Sequence, residues 1–132
     1  MEYLLDTNIC IYLAKNNPPQ IRNKLSSLSS QQVIISIITL GELRFGAAKS
    51  NQNEKSLNAI KQLSSSMRIE DLTPDVAEHY GDIRATLQKQ GKIIGNNDLW
   101  IAAHARSQNW ILVTNNEREF QRVDGLKIEN WI

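Results

Sequence analysis

Short apolar runs recur along this chain, and a longer stretch with helical periodicity separates each from the next. Tyr3-Leu4-Leu5, Val33-Ile34-Ile35-Ser36, Ile69-Glu70-Asp71-Leu72, Ile111-Leu112-Val113 and Leu126-Lys127-Ile128 have the length and residue types of strands. Strands joined through helices, not through tight hairpins, come out parallel, because the helix carries the chain back along the sheet before the next strand begins. The alternation therefore predicts an α/β fold: a central, mostly parallel sheet of about five strands flanked by helices. Tyr3–Leu5 and Ile111–Val113 show no polar alternation, as expected of strands covered on both faces.

The helical stretches have local start and stop signals. A helix over Asn8–Lys15 is stopped by Asn16-Asn17-Pro18-Pro19, and a second follows over Gln20–Leu28, running into the Ser/Gln-rich connector Ser26–Gln32. Helices are predicted over Thr39–Ala48 and Glu54–Leu63, with polar Ser50–Asn53 between them. Thr73-Pro74-Asp75 opens another, with a capping threonine, proline at the first helical position and an acid in the first turn. It runs to about Gln90, before Gly91. Asn97–Asn109 and Glu117–Val123 complete the set.

At 132 residues the chain is expected to form one domain, 1–132, with a substantial core. With 41% hydrophobic and 22% charged residues, its composition is that of a soluble globular protein. The densest apolar runs, Val33–Leu40 and Leu99–Ala103, are too short to span a bilayer, and Met1-Glu2-Tyr3 lacks the basic start of a signal peptide. A single cysteine, Cys10, lies in an apolar segment and cannot form an internal disulfide. A cytoplasmic protein without membrane attachment is the expectation. The net charge of +1 neither excludes nor argues for a nucleic-acid partner.

Four carboxylates stand where apolar runs meet turns or helix starts: Asp6, Glu42, Asp98 and Glu119. An ionised carboxylate beside a packed core needs compensation. Each has a structural explanation. Asp6 can cap the helix that follows it, and Thr39-x-x-Glu42 has the form of a capping box. Asp98 favours the positive end of its helix dipole, and Asn116-x-x-Glu119 resembles a cap. Capping alone does not account for four acids bordering buried elements without a matching set of cations. Hard divalent cations take oxygen ligands, and pairs of them act on phosphodiesters. Composition and spacing reach an acidic metal site, and stop there.

The blocks carrying these acids are Leu5-Asp6-Thr7-Asn8, Ile38-Thr39-Leu40-Gly41-Glu42-Leu43, Ile94-Gly95-Asn96-Asn97-Asp98-Leu99-Trp100-Ile101-Ala102-Ala103 and Leu112-Val113-Thr114-Asn115-Asn116-Glu117-Arg118-Glu119-Phe120. In this order and spacing they resemble the PIN-domain family, and within it the VapC toxins of bacterial toxin–antitoxin pairs. The resemblance covers essentially the whole chain. It implies an endoribonuclease dependent on Mg²⁺ or Mn²⁺, with Asp6 and Asp98 as metal ligands and Asp6, Glu42, Asp98 and Glu119 as the catalytic acids. Many relatives carry an aspartate where this chain has Asn116, so Glu119, one turn on, is matched to the fourth acid. Thr7, Thr114 and Asn116 are supporting donors. The implied partners are structured RNA, with tRNA prominent, a VapB-type antitoxin and a second copy of the chain.

Other candidates read as structural. His104, six residues after Asp98, points to a different helix face, and His79 lies in an amphipathic helix. No Cys/His set has zinc-ligand spacing, and no glycine-rich phosphate loop occurs. Trp100 is expected in or near the core, although a tryptophan beside Asp98 could also meet a base. Arg44, Lys49, Arg84, Lys89 and Lys92 read as solvated helix faces before they read as phosphate contacts. A phosphoryl-accepting receiver module would want paired acids after the first strand and an acid after a middle strand. Asp6 stands alone, and Val33–Ser36 ends without one. A catalytically silent PIN-like binding module is the other alternative, and the complete Asp6, Glu42, Asp98 set speaks against it.

Overall fold

A computed structural model describes all residues from Met1 to Ile132. Five strands, β1 (Tyr3–Leu5), β2 (Val33–Ser36), β3 (Arg68–Glu70), β4 (Ile111–Val113) and β5 (Lys127–Glu129), form one sheet in the order β3-β2-β1-β4-β5. Every pairing is parallel, so the sheet is wholly and not mostly parallel. Seven helices connect the strands: α1 (Thr7–Ala14), α2 (Pro19–Ser26), α3 (Ile37–Ala48), α4 (Asn53–Ser65), α5 (Pro74–Lys89), α6 (Asn96–Gln108) and α7 (Glu117–Phe120). A single 3₁₀ turn, Ser30–Gln32, leads into β2. No helix is long and apolar enough to cross a membrane.

Strand periodicity divides the core into two layers. Leu4, Ile34 and Leu112 point to one face, where α5 and α6 cover them through Val76, Ile83, Leu87, Leu99 and Ile101. Leu5, Ile35, Ile111 and Val113 point to the other, against Ile9, Cys10 and Leu13 of α1, Ile21 of α2 and Leu63 of α4. Helix α3 belongs to both layers, with Ile38 packed on the first and Leu43 on the second. Burial on both faces is what allowed short, uninterrupted apolar strands to be read from the chain.

Several boundaries differ from the expectation. Helix α3 starts at Ile37, because the Ser36 hydroxyl caps it by accepting the Ile38 N–H at 3.1 Å. Thr39 is therefore inside the helix and caps nothing, and Glu42 lies beyond the first turn. Thr73 precedes α5 as expected, yet its side chain makes no capping bond; Pro74 alone marks the start. Helix α2 begins at Pro19, which suits the first helical position. Helix α7 is a single turn that stops at Phe120, whose side chain is only 1% exposed and anchors the segment.

Strands β1, β2 and β3 succeed one another on one side, and the chain then crosses to β4 and β5 on the other. The order reverses between β1 and β4. In parallel α/β sheets the connections leaving the strand ends diverge at that point and open a crevice beyond the carboxyl ends. Asp6 and Thr114 are the first residues past those two ends.

Candidate active site

Asp6 is the most constrained of the four acids. Its backbone N–H donates to the Val113 carbonyl at 3.0 Å, which extends the β1–β4 ladder to this residue. One carboxylate oxygen accepts the Ile9 N–H at 2.9 Å and caps α1. The other accepts the Thr114 hydroxyl at 2.5 Å. With 5% of its surface exposed, burial pushes the carboxyl pKa up, against the opposing pull of the Thr114 and Ile9 bonds, and the charge of Glu42 adds to the rise.

The other acids converge on it from three further elements. Glu42, on α3, accepts the Thr7 hydroxyl at 2.6 Å. Glu119, on α7, accepts the Asn116 side-chain amide at 3.0 Å. Asp98 occupies the first turn of α6 and is half-buried. Burial first, and then the charges of Glu42, Glu119 and Asp6, push its pKa up to about 6. That one carboxyl feels the other three is the structural statement that the set shares a single field.

Three polar side chains organise the acids. Thr114 is fully buried and takes the Asn116 backbone N–H at 2.9 Å while donating to Asp6. Asn116 thus holds Glu119 through its side chain and Asp6 through Thr114. Thr7 performs the same office for Glu42. No Lys or Arg neutralises the set, since the ion pairs of this chain join Arg68 to Glu2 and Glu70, and Arg106 to Asp82. One buried and three half-buried carboxylates, repelling one another without a cationic partner, are donors suited to a hard divalent cation. No three of them close on one point, an arrangement that fits a cation held by one or two carboxylates and its own waters.

The surroundings settle the remaining candidates. His104 is buried, with Nδ1 at 2.9 Å from the Ser36 Oγ. The same Ser36 oxygen accepts the Ile38 N–H, and burial lowers the His104 pKa, which favours the neutral ring. His79 accepts the Arg106 Nε–H at 2.8 Å. Cys10 is fully buried, and burial pushes its thiol up. Trp100 packs on the core and stacks against Tyr80 with ring centroids 3.8 Å apart. Lys49 sits over the Phe45 ring, 5.0 Å from its centroid, while Arg44, Lys89 and Lys92 are exposed. Beside Glu42, an open groove of about 510 Å³ runs between α1, α3 and α4 over Ile11, Leu43, Ala47 and Ile60. Sequence reasoning missed the capping role of Ser36 and the contacts of Tyr80. The Ser36 cap is local, two residues from Ile38, and is obscured by the competing Thr39-x-x-Glu42 pattern. The Tyr80 contacts with Asn96 and Trp100 have no signal along the chain, because only the fold brings α5 against α6.

The sequence pattern of the PIN domain matches residues 3–126, and this chain belongs to the PIN-domain family. It is 46% identical to ribonuclease VapC2 of Haemophilus influenzae, over 100% of this chain and 99% of that protein. It is 44% identical to the tRNA(fMet)-specific endonuclease VapC of Shigella flexneri, over 99% of this chain and 98% of that one. Among solved structures, it resembles a chain of Rickettsia felis VapBC2 bound to a DNA fragment from its promoter, with a TM-score of 0.95, 41% identity and full coverage of both chains.

Proposed function

We propose that this chain is an endoribonuclease that depends on Mg²⁺ or Mn²⁺, and that it is the toxin of a VapBC-type toxin–antitoxin pair acting in the cytoplasm. The observation that carries this reading is the convergence of Asp6, Glu42, Asp98 and Glu119 beyond the β1–β4 switch point with no cation of the chain's own to neutralise them. Asp6 and Asp98 would hold the cation, and Glu42 and Glu119 would complete a second site or orient the attacking water. Once bound, the cation lowers the pKa of a coordinated water and polarises a phosphoryl oxygen.

The chain's own residues supply positioning. Thr114 keeps one Asp6 oxygen oriented while Ile9 holds the other. Thr7 and Asn116 each occupy one oxygen of Glu42 and Glu119, which leaves the second oxygen of each for water or cation. Asn116 brings an amide where an aspartate would bring charge, so it lowers the charge of the site and leaves Glu119 as the fourth acid.

The substrate we propose is structured RNA, with tRNA first and initiator tRNA the first to try, given the Shigella flexneri relative. A VapB-type antitoxin seated in the apolar groove beside Glu42 would reach the acids, and the active form is proposed to be a homodimer. Incubating purified protein with total tRNA, in Mn²⁺ or in chelator, and mapping the 5′ ends of the fragments tests the reading. Cation-dependent cuts at defined positions are expected. An absence of cutting at every Mg²⁺ and Mn²⁺ concentration would instead favour a silent partner-binding module.

A further inference from the structure

We propose that Tyr80 is a positioning residue for Asp98, acting by pinning the first turn of α6 against the repulsion of the other acids. Its role rests on the cation-site reading above, because Asp98 is a ligand there.

The start of α6 is poorly tied by its own sequence. Gly95 stands at the cap position and offers no side chain, and no capping bond is made. Asp98 follows within the first turn, opposed by the charges of Glu42, Glu119 and Asp6. Unscreened by a cation, that repulsion pushes an uncapped turn away from the site.

Tyr80, on α5, opposes the push from behind. Its hydroxyl lies 2.5 Å from the Asn96 Oδ1, to which it donates, and it accepts from Arg84 Nη1 at 2.7 Å. Its ring stacks on Trp100 at 3.8 Å with the planes 15° apart. Asn96 precedes Asp98 by two positions and Trp100 follows it by two. At 3.6 residues per turn both lie on the helix face turned away from Asp98. One side chain therefore grips α6 on either side of the acid, on the side opposite the repelling charges. The Arg84 guanidinium, 5.9 Å from the Tyr80 ring centroid, lies by the hydroxyl and fixes it through its hydrogen bond.

The test compares wild type with Tyr80→Phe, which removes only the hydroxyl, and Tyr80→Ala, which also removes the stack. Mn²⁺ binding is measured by calorimetry without RNA. Tyr80→Phe is expected to weaken Mn²⁺ about two- to fivefold and Tyr80→Ala about tenfold. Cleavage returns to the wild-type rate at saturating Mn²⁺, and KM for tRNA does not move. Asn96→Ala added to Tyr80→Phe is expected to cost little more, since both remove one interaction. In chelator, amide exchange at Leu99, whose N–H donates to the Gly95 carbonyl at 2.9 Å, is expected to quicken in Tyr80→Phe. Wild-type Mn²⁺ affinity in both variants, or unchanged exchange at Leu99, overturns the role. A raised KM for tRNA with unchanged Mn²⁺ affinity would overturn it in favour of direct RNA contact. If wild type itself binds no Mn²⁺, the cation-site reading fails first and Asp98 has no ligand role to position.

Discussion

Replacing Asp98 with asparagine is expected to stabilise the cation-free protein at pH 7 while removing its activity. The carboxyl titrates at about 6 in place of its ordinary 3.8. At about 1.4 kcal/mol for each tenfold change in proton affinity, the whole interval corresponds to about 3 kcal/mol. Asp98 is only half-buried, and solvent screening reduces the realised penalty to roughly 1–2 kcal/mol. Asparagine also forfeits the attraction between a carboxylate and the helix N-terminus, about 0.3–1 kcal/mol. The net gain is then about 1 kcal/mol at neutral pH.

The pH dependence fixes the cause. Between about 4 and 6 the folded chain keeps a proton on Asp98 that the unfolded chain has released. Wild-type stability from this group is therefore intact below 3.8 and is lost as pH rises through 6. The variant's advantage should vanish near pH 4, grow through pH 5 and level off above pH 6.5. Urea denaturation in chelator, followed by circular dichroism across this range, measures it. An asparagine variant less stable than wild type at pH 7, or an advantage independent of pH, would refute the reasoning. Added Mn²⁺ should reverse the order, because only the wild type gains about 2.7 kcal/mol at a hundredfold excess over its Kd.

Further substitutions probe the supports. Thr114→Val keeps the shape but removes the bond to Asp6; a loss of about 2 kcal/mol at pH 7 is expected, shrinking as falling pH protonates Asp6, whose pKa burial raises, and a loss independent of pH would count against it. Ser36→Ala removes the α3 cap and leaves a buried His104 nitrogen without its partner; the expected cost is about 2–3 kcal/mol in urea midpoint at constant slope. Cys10 is fully buried, so a thiol reagent should modify it only as fast as the protein unfolds, and rapid labelling of native protein would contradict its place in the core.

The centre of the sheet was readable because β1, β2 and β4 are buried on both faces and separated by helices, whereas the edge strands β3 and β5 are only partly buried. The same connections predict a mostly parallel sheet, and the observed one is parallel throughout. Cap chemistry was less readable. Thr39-x-x-Glu42 imitates a capping box, but the helix starts at Ile37 on the Ser36 hydroxyl, and this removes the structural explanation for Glu42. Glu119 bonds the Asn116 side chain and no backbone N–H at a helix start, so its capping explanation falls too. For Asp6 and Asp98 the explanations stand: Asp6 does cap α1, and Asp98 does sit in a first turn. Position at a helix start and position at the switch point are the same place in this fold, which is why local chemistry alone could not separate them. The grip of Tyr80 on Asn96 and Trp100 was invisible for a different reason. It depends on how α5 crosses α6, and no spacing along the chain encodes that crossing.

The most direct test is the rate of tRNA cleavage against Mn²⁺ concentration for wild type and for Asp6→Asn, Glu42→Gln, Asp98→Asn and Glu119→Gln, each checked for folding by circular dichroism. A shared cation site predicts a saturable Mn²⁺ dependence in wild type, no detectable cleavage for the two aspartate variants at any Mn²⁺ concentration, and a shifted Mn²⁺ requirement for the two glutamate variants. Wild-type cleavage by well-folded Asp6→Asn or Asp98→Asn protein, or cutting that persists in chelator, would contradict it.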